Sequence, residues 1–310
     1  MTETPIRLES LGKTFGHVAA LEDLSMEIPT GSTYFLLGPN GSGKTTMVHL
    51  LTGVLRPTAG TLRVFDLDPY RQPHKTARRL SVAYENHHLP SWASARIFLR
   101  FVSRIRKLEE EEVERSAQAF GLVDYWERPM GTYSAGMRKR VMLAQAWMGD
   151  PELLLLDEPF SNLDPEGRRL LAGLLEDRLS SDLTTVVSTH LAETLAPPSH
   201  LAFLLDGHLE ADGPIGHLAD QFEARSAVLV LARPAEAVQI LLDQGQGDVT
   251  ASQDRVVVKG TSETILAAQD ILEEAGLAPD ATKEEYDIWA IYRALLAGRP
   301  ARSKRDGSET

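Results

Sequence analysis

The sequence predicts an α/β fold built on a parallel sheet, with a second, smaller α/β unit behind it. Three observations carry that prediction. An apolar β-type run, Tyr34-Phe35-Leu36-Leu37, enters a glycine-rich loop and leaves it into a helical pattern from Met47 to Gly53. A later run, Leu153-Leu154-Leu155-Leu156, is apolar without alternation, as a strand buried on both faces of a parallel sheet is. Composition then shifts between Gly213-Pro214 and Phe222, and new strand and helix patterns follow.

The loop in the first pattern is Gly38-Pro39-Asn40-Gly41-Ser42-Gly43-Lys44-Thr45-Thr46. It matches G-x-x-x-x-G-K-[ST] in the strand–loop–helix setting that the motif requires. A backbone wrapped around a phosphate chain makes approaches that a Cβ would block, which is why glycines recur. Successive N–H groups then form an anion nest backed by the positive end of the helix starting near Lys44. In this pattern Lys44 reaches the β- and γ-phosphates and the Thr45 hydroxyl ligates Mg²⁺. The stretch therefore implies binding of a nucleoside triphosphate.

Taken in order, residues 6 to 37 read as short strands with turns: Ile6 to Glu9 alternates, Gly12 to Gly16 turns, Leu24 to Ile28 alternates again. Phe15 admits two readings, a loop residue tucked on the sheet or a ring that stacks on a base. Thr61 to Phe65 reads as a strand, and Arg71, Lys75, Arg78 and Arg79 as a solvated helix face. Leu80 to Tyr84 is a strand ending at Glu85-Asn86-His87-His88, where neighbouring histidines point apart and no third ligand is spaced to join them. Residues 94 to 148 read as helical throughout, with Ser94 as a cap and Glu109 to Glu112 at a second helix start. Gly131-Thr132-Tyr133-Ser134-Ala135-Gly136 interrupts them, so that Ser134 and the Gly136 N–H stand at a helix start suited to an anion.

Asp157-Glu158 ends the all-leucine run. Two carboxylates at the end of a buried strand are costly unless a cation compensates, and Mg²⁺–nucleotide does so. Asp164-Pro165 starts a helix predicted to reach Leu179, and Thr184 to Thr189 is a β-branched strand ending at His190. Asp206-Gly207 signals a hairpin. Beyond the composition shift, 228–231 and 255–258 read as strands and 234–243, 262–275 and 283–297 as helices, without a chemical motif. Residues 299 to 310 are polar and expected to be disordered.

The 310 residues suffice for a large unit and a smaller one, each with a core. With 43% hydrophobic and 25% charged residues, the composition is that of a soluble globular protein. A formal charge of −12 argues against general nucleic-acid or anionic-membrane binding. Zero cysteines exclude disulfides, thiolate metal sites and cysteine nucleophiles. Met1 to Pro5 lacks the pattern of a signal peptide, and the apolar runs are too short to span a bilayer. If the protein works at a membrane, another polypeptide crosses it.

Over residues 1 to about 218 these stations together resemble the ATP-binding subunit of an ABC transporter. Tyr133-Ser134-Ala135-Gly136-Met137 is similar to the signature usually written LSGGQ, and it precedes the Walker B run ending at Asp157-Glu158. Ser161-Asn162-Leu163-Asp164 resembles the D-loop and Ser188-Thr189-His190 the switch-histidine strand, while Phe15 falls where the family has its adenine-stacking aromatic. Two positions depart from the pattern: Ala135 replaces a signature glycine, and Glu85 (or Asn86, if the register shifts by one) stands at the Q-loop glutamine. The short basic tract after the signature, the residue order Glu158-Pro159-Phe160-Ser161-Asn162-Leu163-Asp164 and the trailing α/β appendage further resemble ATPases of ABC-2 type exporters.

The resemblance implies a P-loop NTPase core (1–218) with an antiparallel β subdomain and a helical subdomain at about 87–150. A C-terminal α/β accessory domain (219–298) and a tail (299–310) follow. It also implies ATP and Mg²⁺: Phe15 on adenine, Gly38 to Thr46 on the phosphates, and Thr45, Asp157 and Glu85 at the metal. Glu158 polarises the attacking water, and His190 contacts the γ-phosphate. Ser134, Ala135, Gly136 and Asp164 close the site from a second ATP-binding subunit, a second copy of this chain rather than a different one. The implied partner is a transmembrane permease, which holds this chain at the cytoplasmic face of the membrane. An importer ATPase, a soluble ABC ATPase and a non-hydrolysing regulator are the competing readings. Glu158 and His190 weigh against the last.

Overall fold

The computed structural model describes residues 4–85, 89–177, 182–190, 198–246, 248–252 and 254–298. Asn86, His87, His88 and the tail from 299 lie outside the described residues. The chain divides into two compact units, Met1–Asp212 and Gly213–Thr310, each with its own core.

In the first unit, β1 (Ile6–Phe15), β2 (Val18–Ile28) and β4 (Ala59–Val64) form an antiparallel sheet in the order β2-β1-β4. The expected turn at Gly12 to Gly16 is shorter than read. β1 continues through Gly12 to Phe15, absorbing extra residues in register shifts between Leu8 and Thr14, and the chain reverses at Gly16 with φ 57°. The main sheet has the order β5-β6-β7-β3-β8-β9, from β3 (Thr33–Leu37), β5 (Leu80–Ala83), β6 (Leu153–Asp157), β7 (Thr184–Thr189), β8 (His200–Leu205) and β9 (His208–Pro214). The pairings β5–β6, β6–β7, β7–β3 and β3–β8 are all parallel. Every residue of β3, β6 and β7 is buried, which explains why these strands read as unbroken apolar or β-branched runs. Asp206 and Gly207, at φ 48° and 80°, turn β8 into β9 with the paired left-handed conformations that Asp-Gly favours.

α1 (Lys44–Leu51) follows the glycine loop, and α2 is a single short turn (Pro73–Thr76) rather than a helix face carrying all the basic residues from 71 to 79. The stretch 94–148 is broken more than its periodicity suggested, into α3 (Ala95–Arg106), α4 (Glu110–Ala119), a 3-10 turn (Met130–Thr132) and α5 (Ala135–Trp147). Lys107 and Gly121, both at positive φ, end the first two helices. Ser94 caps α3 as expected, its hydroxyl accepting from Ile97 N. α6 spans Pro165–Glu176.

In the second unit, α7 (Ile215–Gln221) precedes β10 (Arg225–Val230), α8 (Pro234–Asp243), β11 (Val249–Ser252), β12 (Arg255–Gly260), α9 (Ser262–Glu274), β13 (Ala281–Tyr286) and α10 (Ile288–Ala297). The strands form an antiparallel sheet in the order β11-β12-β10-β13, the β-α-β-β-α-β arrangement of ferredoxin-like units. Leu229, Val256 and Val258 pack on Leu241, Ile265 and Leu272 of α8 and α9. The helix expected over 283–297 starts only at Ile288, and its first residues are strand. Ala281–Tyr286 pairs residue by residue with β10, completing an edge that a helix would have left open, and Asp287 then caps α10 by accepting from Ala290 N.

Candidate functional site

The site begins where β3 ends. At Gly38 an added Cβ would meet Leu204 O at 2.1 Å and Ser42 Oγ at 2.6 Å, so the loop turns in a space that admits only glycine. Gly43, at φ 105°, opens α1 with no side-chain cap, so backbone N–H groups of the first turn face the loop. Lys44 is buried; its Nζ donates to Gly38 O at 2.8 Å and Pro39 O at 3.1 Å and stands 3.5 Å from Glu158 Oε1. Beside it opens a cavity of about 310 Å³, with Asn40, Gly41, Lys44, Thr45 and Thr46 on one side and Glu85 and Glu158 on the other.

Asp157 and Glu158 end the buried strand β6. Ser188 Oγ, from β7, donates to Asp157 Oδ1, while Asp157 Oδ2 is buried without a hydrogen bond. Glu158 sits at φ 45°, in the left-handed region that costs a non-glycine residue about 1–3 kcal/mol when the surroundings enforce it. Its N–H donates to Ser188 O at 2.9 Å, which holds the turn, and Ser161 Oγ donates to its carbonyl at 2.7 Å. Glu158 Oε2 lies 2.9 Å from His190 Nδ1, at the end of β7. A carboxylate only accepts, so this contact places a proton on Nδ1 of the imidazole. Parallel neighbours β6 and β7 thus deliver Asp157, Glu158, Ser188 and His190 to one end of the sheet.

Sequence reasoning missed Lys139. It lies on the buried side of α5, 4% exposed, and Nζ donates to Asp157 O at 3.2 Å. Burial pushes its pKa down to about 8, against the opposing pull of Asp157, Glu85 and Glu158. A lysine in register with buried Met142, Leu143 and Ala146 was the available signal.

Other predicted positions do not line this cavity. Ser134 caps α5, accepting from Met137 N at 3.1 Å, and with Ala135 it is exposed; a Cβ at Gly136 would meet Asn162 O at 2.8 Å. Asp164 caps α6, accepting from Gly167 N at 2.8 Å and from Arg140 at 3.1 Å, and these bonds hold its carboxyl below the usual range. Phe15 is 46% exposed at the end of β1, with Lys13 Nζ 4.9 Å from its ring centroid. Glu85, by contrast, does line the cavity and is exposed after β5.

Ser42 Oγ, Asp157 Oδ2 and Glu158 Oε1, all buried without a hydrogen bond, and the loop closed to any Cβ at Gly38 fit a Mg²⁺-bound polyphosphate. Among the described residues no cluster of His, Asp and Glu could hold a metal unaided.

A sequence model of ABC transporters matches residues 21–161. The daunorubicin/doxorubicin resistance ATP-binding protein DrrA of Streptomyces peucetius is 32% identical over 218 residues, 69% of this chain and 66% of that protein. The bacitracin transport ATP-binding protein BcrA of Bacillus licheniformis is 30% identical over 221 residues, 69% of this chain and 71% of that protein. Among solved structures, the ATP binding subunit of an ABC transporter superposes with a TM-score of 0.65 at 24% identity, over 71% of this chain and 93% of that one, a likeness of fold.

Proposed function

The chain belongs to the ATP-binding subunits of ABC transporters, an ATP-hydrolysing family, and from that premise we propose that it powers an ABC-2 type exporter as a head-to-tail pair of copies. The observation that carries the pairing is the split between the cavity and the α5 N-terminus. Lys44, Thr45, Glu85 and Glu158 share one hollow, whereas Ser134 and Ala135 open α5 at an exposed surface outside it. A second copy bringing its α5 N-terminus over the cavity adds N–H donors where phosphate charge concentrates.

In this reading Gly38 to Thr46 cradle the phosphates, Lys44 turns from the loop carbonyls to the γ-phosphate, and Phe15 stacks on adenine. The Thr45 hydroxyl and Asp157 Oδ2 would hold Mg²⁺, with Glu85 as a further carboxylate; the ion supplies charge neutralisation on the phosphates. Glu158 accepts from the attacking water and polarises it. His190, held by Glu158, presents its other nitrogen to the γ-phosphate. Lys139 holds the strand end from below. Positioning and electrostatics suffice for a loose phosphoryl-transfer transition state, so no covalent nucleophile is needed.

The transport partner is a separate membrane permease, on which this chain sits at the cytoplasmic face of the membrane. Among the described residues no helix is long and apolar enough to cross a bilayer. Exposed Ile97, Phe101 and Ile105 recur every fourth residue along α3, with exposed Trp92 before them, and such a stripe supports a protein partner. The drug-resistance role in DrrA's name favours export. Residues 219–298 are read as an accessory domain without chemistry of its own.

The chain's lack of cysteine makes a clean test possible. Ser134→Cys and Asn40→Cys, combined with Glu158→Gln, should give a disulfide-linked dimer under mild oxidation only with ATP and Mg²⁺. A chain that binds ATP yet stays uncrosslinked, alone and with its permease, defeats the head-to-tail reading.

A further inference from the structure

The first unit has a second hollow, of about 360 Å³ against about 310 Å³ for the cavity at the glycine loop, and the two share no lining residue. It lies between the turn at residues 56–58, the strand β4 and the loop at 68–71. Its size falls in the range of small-molecule sites.

The charges around it are unbalanced. Arg56, Arg63 and Arg71 line it, against Asp68 as the one carboxylate. Asp68 is already engaged: Oδ1 accepts from Tyr70 N and Arg71 N, both at 3.0 Å, and Oδ2 lies 3.5 Å from Arg71 Nε. Among the described residues the guanidiniums of Arg56 and Arg63 have no ion pair or hydrogen bond. In a chain of formal charge −12, with carboxylates in excess elsewhere, three arginines line one concavity, and among the described residues the guanidiniums of two of them have no anionic partner. Mutual repulsion makes that arrangement unfavourable alone and favourable around a bound anion. Guanidiniums offer the planar, two-pronged donors that match phosphate oxygens.

Two further features extend the ligand beyond a bare anion. Tyr70 is 46% exposed and contributes an aromatic wall. β4 is an edge strand paired only with β1, so its outer row of backbone groups, from Ala59 to Arg63, faces this side without a further strand.

We propose that this hollow is a second anion site that takes a small phosphorylated molecule of about mononucleotide size. Arg56 and Arg63 hold the phosphate, Arg71 adds to the field, and Tyr70 packs against the body of the ligand. Nothing in the hydrolytic cycle uses these residues, so the site stands apart from the function proposed above.

The test uses the full chain carrying Lys44→Ala, which weakens the phosphate grip of the glycine loop, titrated by calorimetry with inorganic pyrophosphate and with AMP. One equivalent of at least one probe is expected to bind. Adding Arg56→Ala and Arg63→Ala should weaken that binding about tenfold or more, the loss expected for two charge-assisted contacts. The double Lys replacement, which keeps the charge, should lose less. AMP that binds more tightly than pyrophosphate and is weakened by Tyr70→Ala identifies a nucleoside phosphate as the ligand. Equal binding that ignores Tyr70→Ala identifies the inorganic anion and still supports the site. Binding of neither probe, or binding that ignores both arginine substitutions in a chain with unchanged thermal midpoint, overturns the proposal.

Discussion

Lys139 in the first unit and Arg225 in the second are both buried, at 4% and 9% exposure, and their surroundings treat them in opposite ways. Lys139 has one hydrogen bond among the described residues, to the backbone carbonyl of Asp157, and burial pushes its pKa down. Arg225 also pays for burial, but it donates to Asp220 at 2.8 Å, to Glu284 and to Gly216 O, and it lies 5.3 Å from the Tyr286 ring. Its pKa rises because these partners outweigh burial. The contrast extends beyond the two cations. Among the described residues, the buried side-chain polar atoms without a hydrogen bond, including Ser42 Oγ, Asp157 Oδ2 and Glu158 Oε1, all lie in the first unit. One unit keeps electrostatic demands that a ligand can meet, whereas the other meets its own.

The largest effect expected from that difference is at Glu158. Glu158→Gln keeps the shape and removes the charge facing Lys44 and His190. Hydrolysis should fall by roughly 100-fold or more, about 3 kcal/mol on the barrier, while ATP binding measured by calorimetry persists. Turnover at the unaltered rate removes Glu158 from the chemistry.

The two cations then provide a crossed test. Arg225→Ala should lower the stability of the second unit by about 2–3 kcal/mol, the loss expected for hydrogen bonds to charged partners, and should leave ATPase per folded molecule unchanged. Faster hydrogen exchange of the β10 and β12 amides would report it. Lys139→Met should do the reverse. An apolar chain of similar length relieves the burial of a charge, so the thermal midpoint should hold or rise. Turnover should still fall about tenfold because the Asp157 carbonyl loses its tether. Turnover untouched by Lys139→Met, or equal turnover losses in both variants, would erase the distinction between the units.

The legibility of these features in the sequence followed the range of their interactions. The glycine loop, the leucine run of β6 and the Asp-Gly hairpin are contiguous, so the parallel α/β core was legible in the chain itself, whereas the antiparallel subdomain followed only from the family resemblance. β13 could not. Its Lys283-Glu284-Glu285 run has a helical look, and only the free edge of β10 makes it a strand. β11 was missed for a similar reason: Val249–Ser252 is short, mostly exposed, and defined by pairing with β12. At the site, pattern alone singled out Lys44, Asp157 and Glu158. That Lys139 reaches the Asp157 carbonyl depends on α5 packing against β5, the strand beside β6, a contact between segments that no local motif announces.

The smallest effect expected comes from two helix caps of matched chemistry. Ser134 opens α5 and Thr261 opens α9, both helices are 13 residues long, and each hydroxyl accepts the N–H three residues on, at 3.1 Å and 3.3 Å. Replacing either cap by alanine should cost about 1 kcal/mol, since each leaves one first-turn N–H without its partner. If stability were the whole of a cap's role, the two variants would behave alike in every assay. The exposed position of Ser134 separates them. Its hydroxyl and the N–H groups behind it are the donors that a second copy would bring over the phosphates, whereas Thr261 serves only the ferredoxin-like unit. Ser134→Ala should therefore reduce ATP-dependent dimer formation, read by light scattering in the Glu158→Gln background, and Thr261→Ala should not. Equal dimer formation in both variants, at equal losses of stability, would leave Ser134 with a cap's role alone.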